Sequence, residues 1–176
     1  MKRALLASFC STALVLSACG SGATEPTAVP SPAYRQVLRA LYRGTVPTVA
    51  PATLAQELTQ PRAPVLLDVR APVEFEVSHL AGARFVAPDS VATAEFPDLD
   101  RNQPVVVYCS VGGRSERLGE RLLALGFRDV RNLYGGLFEW VNEGHPVVNT
   151  AGPTANVHPY SLLWSPWLRR GKKVYE

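Results

Sequence analysis

The sequence has 176 residues, of which 47% are hydrophobic and 19% charged, as is typical of a globular protein with one domain and extensions. A formal net charge of +3 is too small for nucleic-acid binding by bulk electrostatics, so we expect no nucleic-acid partner. The three cysteines, Cys10, Cys19 and Cys109, are too few for a disulfide scaffold and lack the spacing of metal ligands, so we expect no metal.

The N-terminal segment is predicted to be an export signal. Two basic residues precede an apolar run over residues 4–15, which is too short to span a membrane comfortably. Residues 16–19, Leu-Ser-Ala-Cys, resemble the lipobox of bacterial lipoproteins, in which a peptidase cuts before the cysteine and its sulfur carries a lipid. We therefore expect residues 1–18 to be a lipoprotein signal peptide and Cys19 to be the lipidation site. The alternative is an ordinary signal peptide that is cut nearby, with Cys19 incidental.

Processing at this site would change the charge, the thiol content and the location of the protein. Removal of residues 1–18 lowers the formal charge from +3 to +1 and leaves Cys109 as the one free thiol. Residues 19–33, rich in small residues and proline, are predicted to be a flexible tether. The mature protein is then expected outside the cytoplasm, anchored to a bacterial membrane through Cys19. Some Gram-negative lipoproteins are retained in the inner membrane by an acidic residue directly after the lipidated cysteine, but position 20 of this sequence is glycine, Gly20. In a Gram-negative host, this favours the outer membrane, with the protein facing the periplasm.

Residues 34–47 are predicted to form an N-terminal helix and its connection to a domain over residues 48–148. Apolar residues at helical spacing, Tyr34, Leu38 and Leu41, indicate the helix. Within the domain, short apolar runs typical of strands alternate with helical patterns. The predicted strands are 65–69, 83–86, 105–108 and 130–133, and the predicted helices begin at Pro51, at Pro72, after the loop that follows Cys109, and at Gly136. Such an alternation favours an α/β fold with a central parallel sheet and helices on both faces.

Residues 149–176 are predicted to be a C-terminal extension without clear periodicity. It contains Tyr160, Trp164, Trp167 and four basic residues. Two interpretations stay open. Packing of the extension over the domain is the more ordinary one, and contact of its aromatic and basic residues with a membrane surface is the other.

The clearest chemical signature follows the strand at 105–108. Cys109 stands at the carboxyl end of that strand, where open parallel sheets bind ligands. Gly112 and Gly113 allow the backbone to curl, so that N–H groups of the loop and of the next helix point at an anion. A thiolate is such an anion, and Arg114 adds a positive charge whose fork fits an oxyanion. The pattern predicts a nucleophilic cysteine; the alternative is that Cys109 is a small buried apolar residue.

Three parts of the sequence carry family motifs. Residues 109–115, Cys-Ser-Val-Gly-Gly-Arg-Ser, follow the pattern Cys-x-x-Gly-x-Arg-Ser. Residues 67–70 (Leu-Asp-Val-Arg), Glu74–Phe75 and 79–83 (His-Leu-Ala-Gly-Ala) form a second signature, and residues 132–147 contain paired glycines, a tryptophan and a closing Gly-His-Pro. In this order and spacing, the three parts resemble the active-site loop, the second signature and the closing helix of rhodanese-like domains.

The resemblance implies an α/β sulfurtransferase that uses no metal or organic cofactor. Cys109 is implied to attack a sulfane-sulfur donor such as thiosulfate, to become a persulfide and to pass the outer sulfur to an external thiol acceptor. Arg114 is implied to orient an anionic donor. The loop backbone is implied to cradle the persulfide through Ser110, Val111, Gly112, Gly113 and Ser115.

Other roles are weighed against this one. Four residues separate Cys109 from Arg114, one fewer than in the related phosphatases and arsenate reductases, which disfavours phosphatase activity. A noncatalytic module that carries sulfur or senses oxidants on the same fold is the alternative to an enzyme. Asp68 and Arg70 are expected to support the loop as a charge pair. His79 is expected to satisfy backbone groups, with proton transfer to the cysteine as the alternative.

Overall fold

A five-stranded parallel sheet forms the centre of the computed structural model, which describes residues 30–176. The strands are β1 (Thr48–Val49), β2 (Val65–Asp68), β3 (Arg84–Phe85), β4 (Val105–Tyr108) and β5 (Val130–Leu133), in the spatial order β1-β5-β4-β2-β3. The helices are α1 (Pro32–Leu41), α2 (Pro51–Glu57), α3 (Pro72–Val77), α4 (Gly113–Ala124) and α5 (Gly136–Asn142). The predicted signal peptide, the lipidation site Cys19 and the first part of the predicted tether lie outside the described residues.

The sheet is covered on both faces, and its central strand β4 is fully buried. Side chains alternate between the two faces along a strand. Val106 and Tyr108 pack into a core shared with α1, α2 and α5, whereas Val105 and Val107 pack into a core shared with α4. This double burial explains the unbroken apolar run of β4 in the sequence. The predicted α/β fold, a parallel sheet with helices on both faces, is confirmed.

Helix α1 begins two residues earlier than predicted. The Ser31 Oγ accepts a hydrogen bond from Tyr34 N at 3.2 Å, which caps the first turn, and Pro32 occupies the first helical position. The predicted tether over residues 19–33 is therefore wrong at its end, because its last two residues are helical. Strand β1 is a further difference: its two residues are too few to show a pattern, yet they pair in parallel with β5.

The C-terminal extension packs against the domain. It begins within the hairpin of β6 (Val147–Asn149) and β7 (Gly152–Thr154), and it contains a small sheet of β8 (Asn156–Val157) and β9 (Lys172–Lys173). The Trp167 ring stacks on Tyr34 of α1 with the ring centroids 5.2 Å apart, and Val157 and Leu168 are fully buried. The extension and α1 therefore form one layer over the sheet. Within residues 30–176, no helix has both the length and the apolar character that a membrane span requires.

Candidate active site

Cys109 lies directly after β4, and the short loop that follows it leads into α4. The Cys109 side chain is almost fully buried, and its Sγ accepts a hydrogen bond from Gly112 N at 3.1 Å. Gly112 has a φ of +96°, and a Cβ at this position would lie 2.2 Å from the Tyr42 hydroxyl oxygen. Only glycine fits such a position, so the curl of the loop that brings an N–H group to the sulfur depends on Gly112.

The first turn of α5 holds the loop from the other side. Leu137 N donates to the Cys109 carbonyl at 2.9 Å, and Phe138 N donates to the Ser110 carbonyl at 3.0 Å. These donors are N–H groups that the first turn of a helix leaves without partners inside the helix. Because C=O and N–H point in opposite directions across a trans peptide, the N–H groups that follow these two carbonyls face away from α5.

Two tyrosines, one in α1 and one directly after it, tie the loop to the turn before α5. The Tyr42 hydroxyl donates to the Val111 carbonyl at 2.9 Å and accepts from Gly135 N at 2.8 Å. The Tyr34 hydroxyl donates to the Gly135 carbonyl at 3.2 Å. Burial raises the pKa of the Tyr42 hydroxyl, which therefore remains a protonated donor. Sequence reasoning missed the role of Tyr42, because its loop partner is 69 residues away in the chain.

A buried polar pair fixes the end of the loop. Asn132 Nδ2 donates to the Gly112 carbonyl at 2.8 Å, and the Ser115 hydroxyl lies 2.8 Å from Asn132 Oδ1. Both side chains are almost fully buried. Ser115 was predicted to contribute its backbone, but in the structure its hydroxyl also holds the loop through Asn132.

Arg114 binds a carboxylate of the protein itself. Its two Nη atoms each donate to one carboxylate oxygen of Glu74 at 2.9 Å, and Nη2 also donates to the Ser110 hydroxyl at 3.0 Å. The Ser110 hydroxyl in turn donates to Glu74 at 2.6 Å, and the Glu74 side chain is almost fully buried. The sequence predicts that Arg114 orients an anionic donor; in this structure both of its Nη atoms bind an internal carboxylate, and its role toward a donor stays a prediction. No role was predicted for Glu74, although it belongs to the second signature.

A cavity of about 150 Å³ lies over the thiol. Cys109, Ser110, Val111, Gly113 and Arg114 contribute to it from the loop and α4. Leu41 contributes from α1, and Tyr160 and Trp164 contribute from the C-terminal extension. A larger cavity of about 530 Å³ lies on another side of Arg114 and is lined by Arg43 and Arg117 among others, but Cys109 does not line it. We place the chemistry in the smaller cavity because it contains the thiol.

The remaining predicted residues lie behind this cavity. Asp68 and Arg70 form a fully buried ion pair at 2.7 Å, and Arg70 also donates to the Ser78 carbonyl. The His79 ring stacks on Phe75 and its Nδ1 lies 2.9 Å from the Phe75 carbonyl. Asp68, Arg70 and His79 do not line the cavity over the thiol. Among residues 30–176, His, Cys, Asp and Glu side chains do not form a cluster of three or more that could hold a metal ion.

The Glu74–Arg114 pair predicts a pH-dependent part of the stability. Burial raises the pKa of Glu74, but the hydrogen bonds and charge of Arg114 outweigh burial and hold that pKa below its ordinary value. A lowered pKa in the folded state means that the pair stabilises the protein above about pH 4.3, and that this part is lost as the pH falls through the folded-state pKa. We expect Glu74→Gln to lower the free energy of unfolding by about 1–2 kcal/mol near pH 7, since Arg114 is partly exposed to solvent.

Urea unfolding of wild type and of Glu74→Gln at about pH 7 and about pH 3 tests this expectation. The difference between their free energies of unfolding should be smaller at the lower pH. Glu76→Gln is the matched control, since it removes an exposed carboxylate from the same helix. A difference between wild type and Glu74→Gln that is equal at the two pH values would contradict the prediction.

Comparisons with known proteins identify the family of the chain. The family model of the rhodanese-like domain matches residues 50–143. A sulfurtransferase of Allochromatium vinosum is 29% identical over 100 residues, which cover 57% of this chain and 92% of that protein. The Synechocystis protein slr1261 is 34% identical over 103 residues, 58% of this chain, and the chain spans 56% of that relative's length. The crystal structure of a rhodanese-related protein from Thermoplasma volcanium is 28% identical, with a TM-score of 0.52 over 58% of this chain and 97% of that one. The chain therefore belongs to the rhodanese-like family.

Proposed function

We propose that the protein is a sulfurtransferase that takes sulfane sulfur from a small donor and passes it to an external thiol through a persulfide on Cys109. One observation carries the proposal: the Cys109 sulfur accepts the Gly112 N–H hydrogen bond at 3.1 Å and lines a cavity at the start of α4. A fixed N–H group at this place stabilises the negative charge of a thiolate and of a persulfide anion. The family match and the sulfurtransferase relative support the same reaction class.

The proposed reaction consists of two displacements. The Cys109 thiolate attacks the sulfane sulfur of the donor, the donor's bond to that sulfur breaks, and the electron pair leaves with the rest of the donor. An external thiolate then attacks the outer sulfur of the persulfide, and the Cys109 thiolate leaves. Cys109 is the one free cysteine among residues 30–176, and the sequence predicts that Cys10 is cleaved off and Cys19 lipidated, so the proposed acceptor thiol comes from a second molecule.

Arg114 acts in this proposal as a support of the loop. Its fork joins Glu74 of α3 to Ser110, which is the residue after the nucleophile. Such a tie keeps the loop N–H groups in one geometry, and preorganised donors need no rearrangement during the reaction.

Formation of the persulfide tests the proposed function directly. The protein incubated with thiosulfate or with benzyl persulfide should gain the mass of one sulfur atom, and addition of an excess of a small thiol should remove it. Cys109→Ser should gain nothing and should lower turnover by at least about a thousandfold, since a hydroxyl cannot form the persulfide. Intact-mass spectrometry after brief incubation measures both.

Two results would count against the enzyme. Absence of sulfur loading with both donors would contradict sulfur transfer through Cys109. Loading of a single sulfur without steady-state release to any thiol would instead indicate a module that carries sulfur or senses oxidants.

We also propose that the protein acts outside the cytoplasm, tied to a membrane by a lipid on Cys19. The support is the Leu-Ser-Ala-Cys segment that follows a basic and apolar leader in the sequence. Expression in a bacterial host should give a membrane-associated protein whose mass shows cleavage before Cys19 and added lipid. Cys19→Ala should abolish the lipid mass, and recovery of wild type without lipid would contradict the anchor.

A further inference from the structure

Two aromatic side chains of the C-terminal extension form part of the wall over Cys109. Tyr160 and Trp164 both line the thiol cavity, and Leu41 of α1 lines it as well. All three lie outside residues 50–143, the part that the family model matches. The apolar wall of this site is therefore built mainly by α1 and the C-terminal extension.

Tyr160 is held over the site in a strained backbone conformation. Its φ is +63°, and among residues 30–176 it is the one residue other than glycine with a positive φ. That conformation costs about 1 kcal/mol or more and persists where the surroundings determine it, which is common at ligand sites. Here Tyr160 N donates to His158 Nδ1 at 3.1 Å, and the Tyr160 ring centroid lies 4.5 Å from the Arg114 guanidinium carbon.

The charged groups around the cavity disfavour binding of a dianion. Among the described residues that line it, Arg114 is the one cation, and Glu74 binds both of its Nη atoms while Tyr160 covers its face. A dianion such as thiosulfate would leave water for a cavity whose cation already shares its charge with Glu74, and would approach a thiolate of the same sign. Desolvation of each additional charge is unfavourable, so the charges favour a donor whose leaving group carries no charged substituent.

The volume and the lining of the cavity favour a small apolar group in the donor. A volume of about 150 Å³ corresponds to about five water molecules at about 30 Å³ each, which is room for a small ring but not for a peptide. Leu41, Val111, Tyr160 and Trp164 are apolar, and aromatic walls gain from contact with another ring.

We propose that the donor is an organic persulfide, R–S–SH, with a small uncharged apolar R group, and that Tyr160 and Trp164 bind this group. The inference rests on the proposed function and names its donor class. The Cys109 thiolate attacks the terminal sulfur of R–S–SH, the S–S bond of the donor breaks, and the electron pair leaves with R–S⁻. The products are Cys109–S–SH and R–S⁻, so atoms and charge balance and no oxidant or reductant takes part.

Three donors separate this proposal from the proposed function: benzyl persulfide, the persulfide of mercaptoacetate, and thiosulfate. The first has an apolar R group, the second has a carboxylate on R, and the third is an inorganic dianion. We expect kcat/KM of the full-length protein to be at least about tenfold higher for benzyl persulfide than for either of the other two donors, with Cys109→Ser as the blank for uncatalysed transfer. Equal or higher kcat/KM for the mercaptoacetate persulfide or for thiosulfate would overturn the inference and leave the sulfurtransferase intact. Transfer from none of the three donors would overturn the proposed function itself.

Variants of the aromatic wall test the binding role. Trp164→Ala should raise KM for benzyl persulfide about tenfold with little change in kcat, and should lower kcat/KM for the mercaptoacetate persulfide by a clearly smaller factor, about threefold or less. Trp164→Phe should restore most of the KM, because it keeps an aromatic face. Leu163→Ala is the matched control, since Leu163 is the neighbour in the chain, is 80% exposed and does not line the cavity. Tyr160→Ala provides a second variant, with the same expected split between the donors, should Trp164→Ala fail to fold. An equal loss of kcat/KM for both persulfides would overturn the assignment of these residues to the R group.

Discussion

Gly136→Ala is expected to lower the free energy of unfolding by at least about 3 kcal/mol and kcat/KM for sulfur transfer by at least about a hundredfold. Gly136 begins α5 with a φ of +58°, and a Cβ there would lie 2.3 Å from the Cys109 carbonyl oxygen and 2.7 Å from Val111 N. These neighbours are backbone atoms of the active-site loop and cannot rotate away. The loop and α5 would have to separate by roughly 0.7 Å to restore even a 3.0 Å contact, and a shift near 1 Å at reacting groups costs about a hundredfold in rate.

The measurements are urea unfolding and steady-state sulfur transfer, with Gly82→Ala as the matched control. Gly82 has a similar φ of +75°, but a Cβ there would meet nothing within 4 Å. Gly82→Ala therefore pays only the backbone strain, about 1–2 kcal/mol, and should keep its activity. If the two variants behave alike, the close approach of α5 to the loop is not what demands glycine at position 136.

The sequence predicts the part of the site that local patterns encode. The strand–loop–helix around Cys109 was predictable because its signals are local: a β-branched run for β4, glycines for the curl and a helical pattern after them. The order of the motifs also indicated the α/β fold. A resemblance in three parts of the chain added the reaction class, which local patterns do not contain.

The contacts that decide the electrostatics of the site are not local. Glu74 and Arg114 are 40 residues apart, and no periodicity in either segment indicates that they meet. The expectation for Arg114 therefore left out Glu74, because from the sequence alone an arginine in this loop shows no internal partner. Tyr160 and Trp164 belong to the predicted C-terminal extension, for which packing over the domain and contact with a membrane surface were both open, and the sequence could not indicate that they lie over the thiol.

Arg70→Met is expected to lower the free energy of unfolding by about 3–5 kcal/mol, because it leaves the Asp68 carboxylate fully buried without its cation. Arg70 makes three hydrogen bonds to the Asp68 carboxylate through its side chain, and its Nη2 also donates to the Ser78 carbonyl. Asp68 ends β2 opposite Tyr108, the residue before Cys109. The pair therefore joins the end of β2 to the segment after α3, behind the loop.

The double variant Asp68→Asn/Arg70→Met separates the cost of an orphaned charge from the worth of the pair. In wild type, Asp68 Oδ1 accepts a hydrogen bond from the backbone N–H of residue 70 at 2.9 Å. Asparagine at position 68 keeps an oxygen for this N–H and removes the negative charge. We expect the double variant to be more stable than Arg70→Met alone by about 2 kcal/mol, as measured by urea unfolding.

Below the unfolding temperature, Arg70→Met should keep kcat/KM within about threefold of the wild-type value, since Arg70 does not line the thiol cavity. A large loss of kcat/KM in a variant that is still folded would place Arg70 in the chemistry and not in the frame behind it. A loss of stability below about 1 kcal/mol would mean that water or a shifted side chain replaces the cation, which the full burial of both side chains argues against.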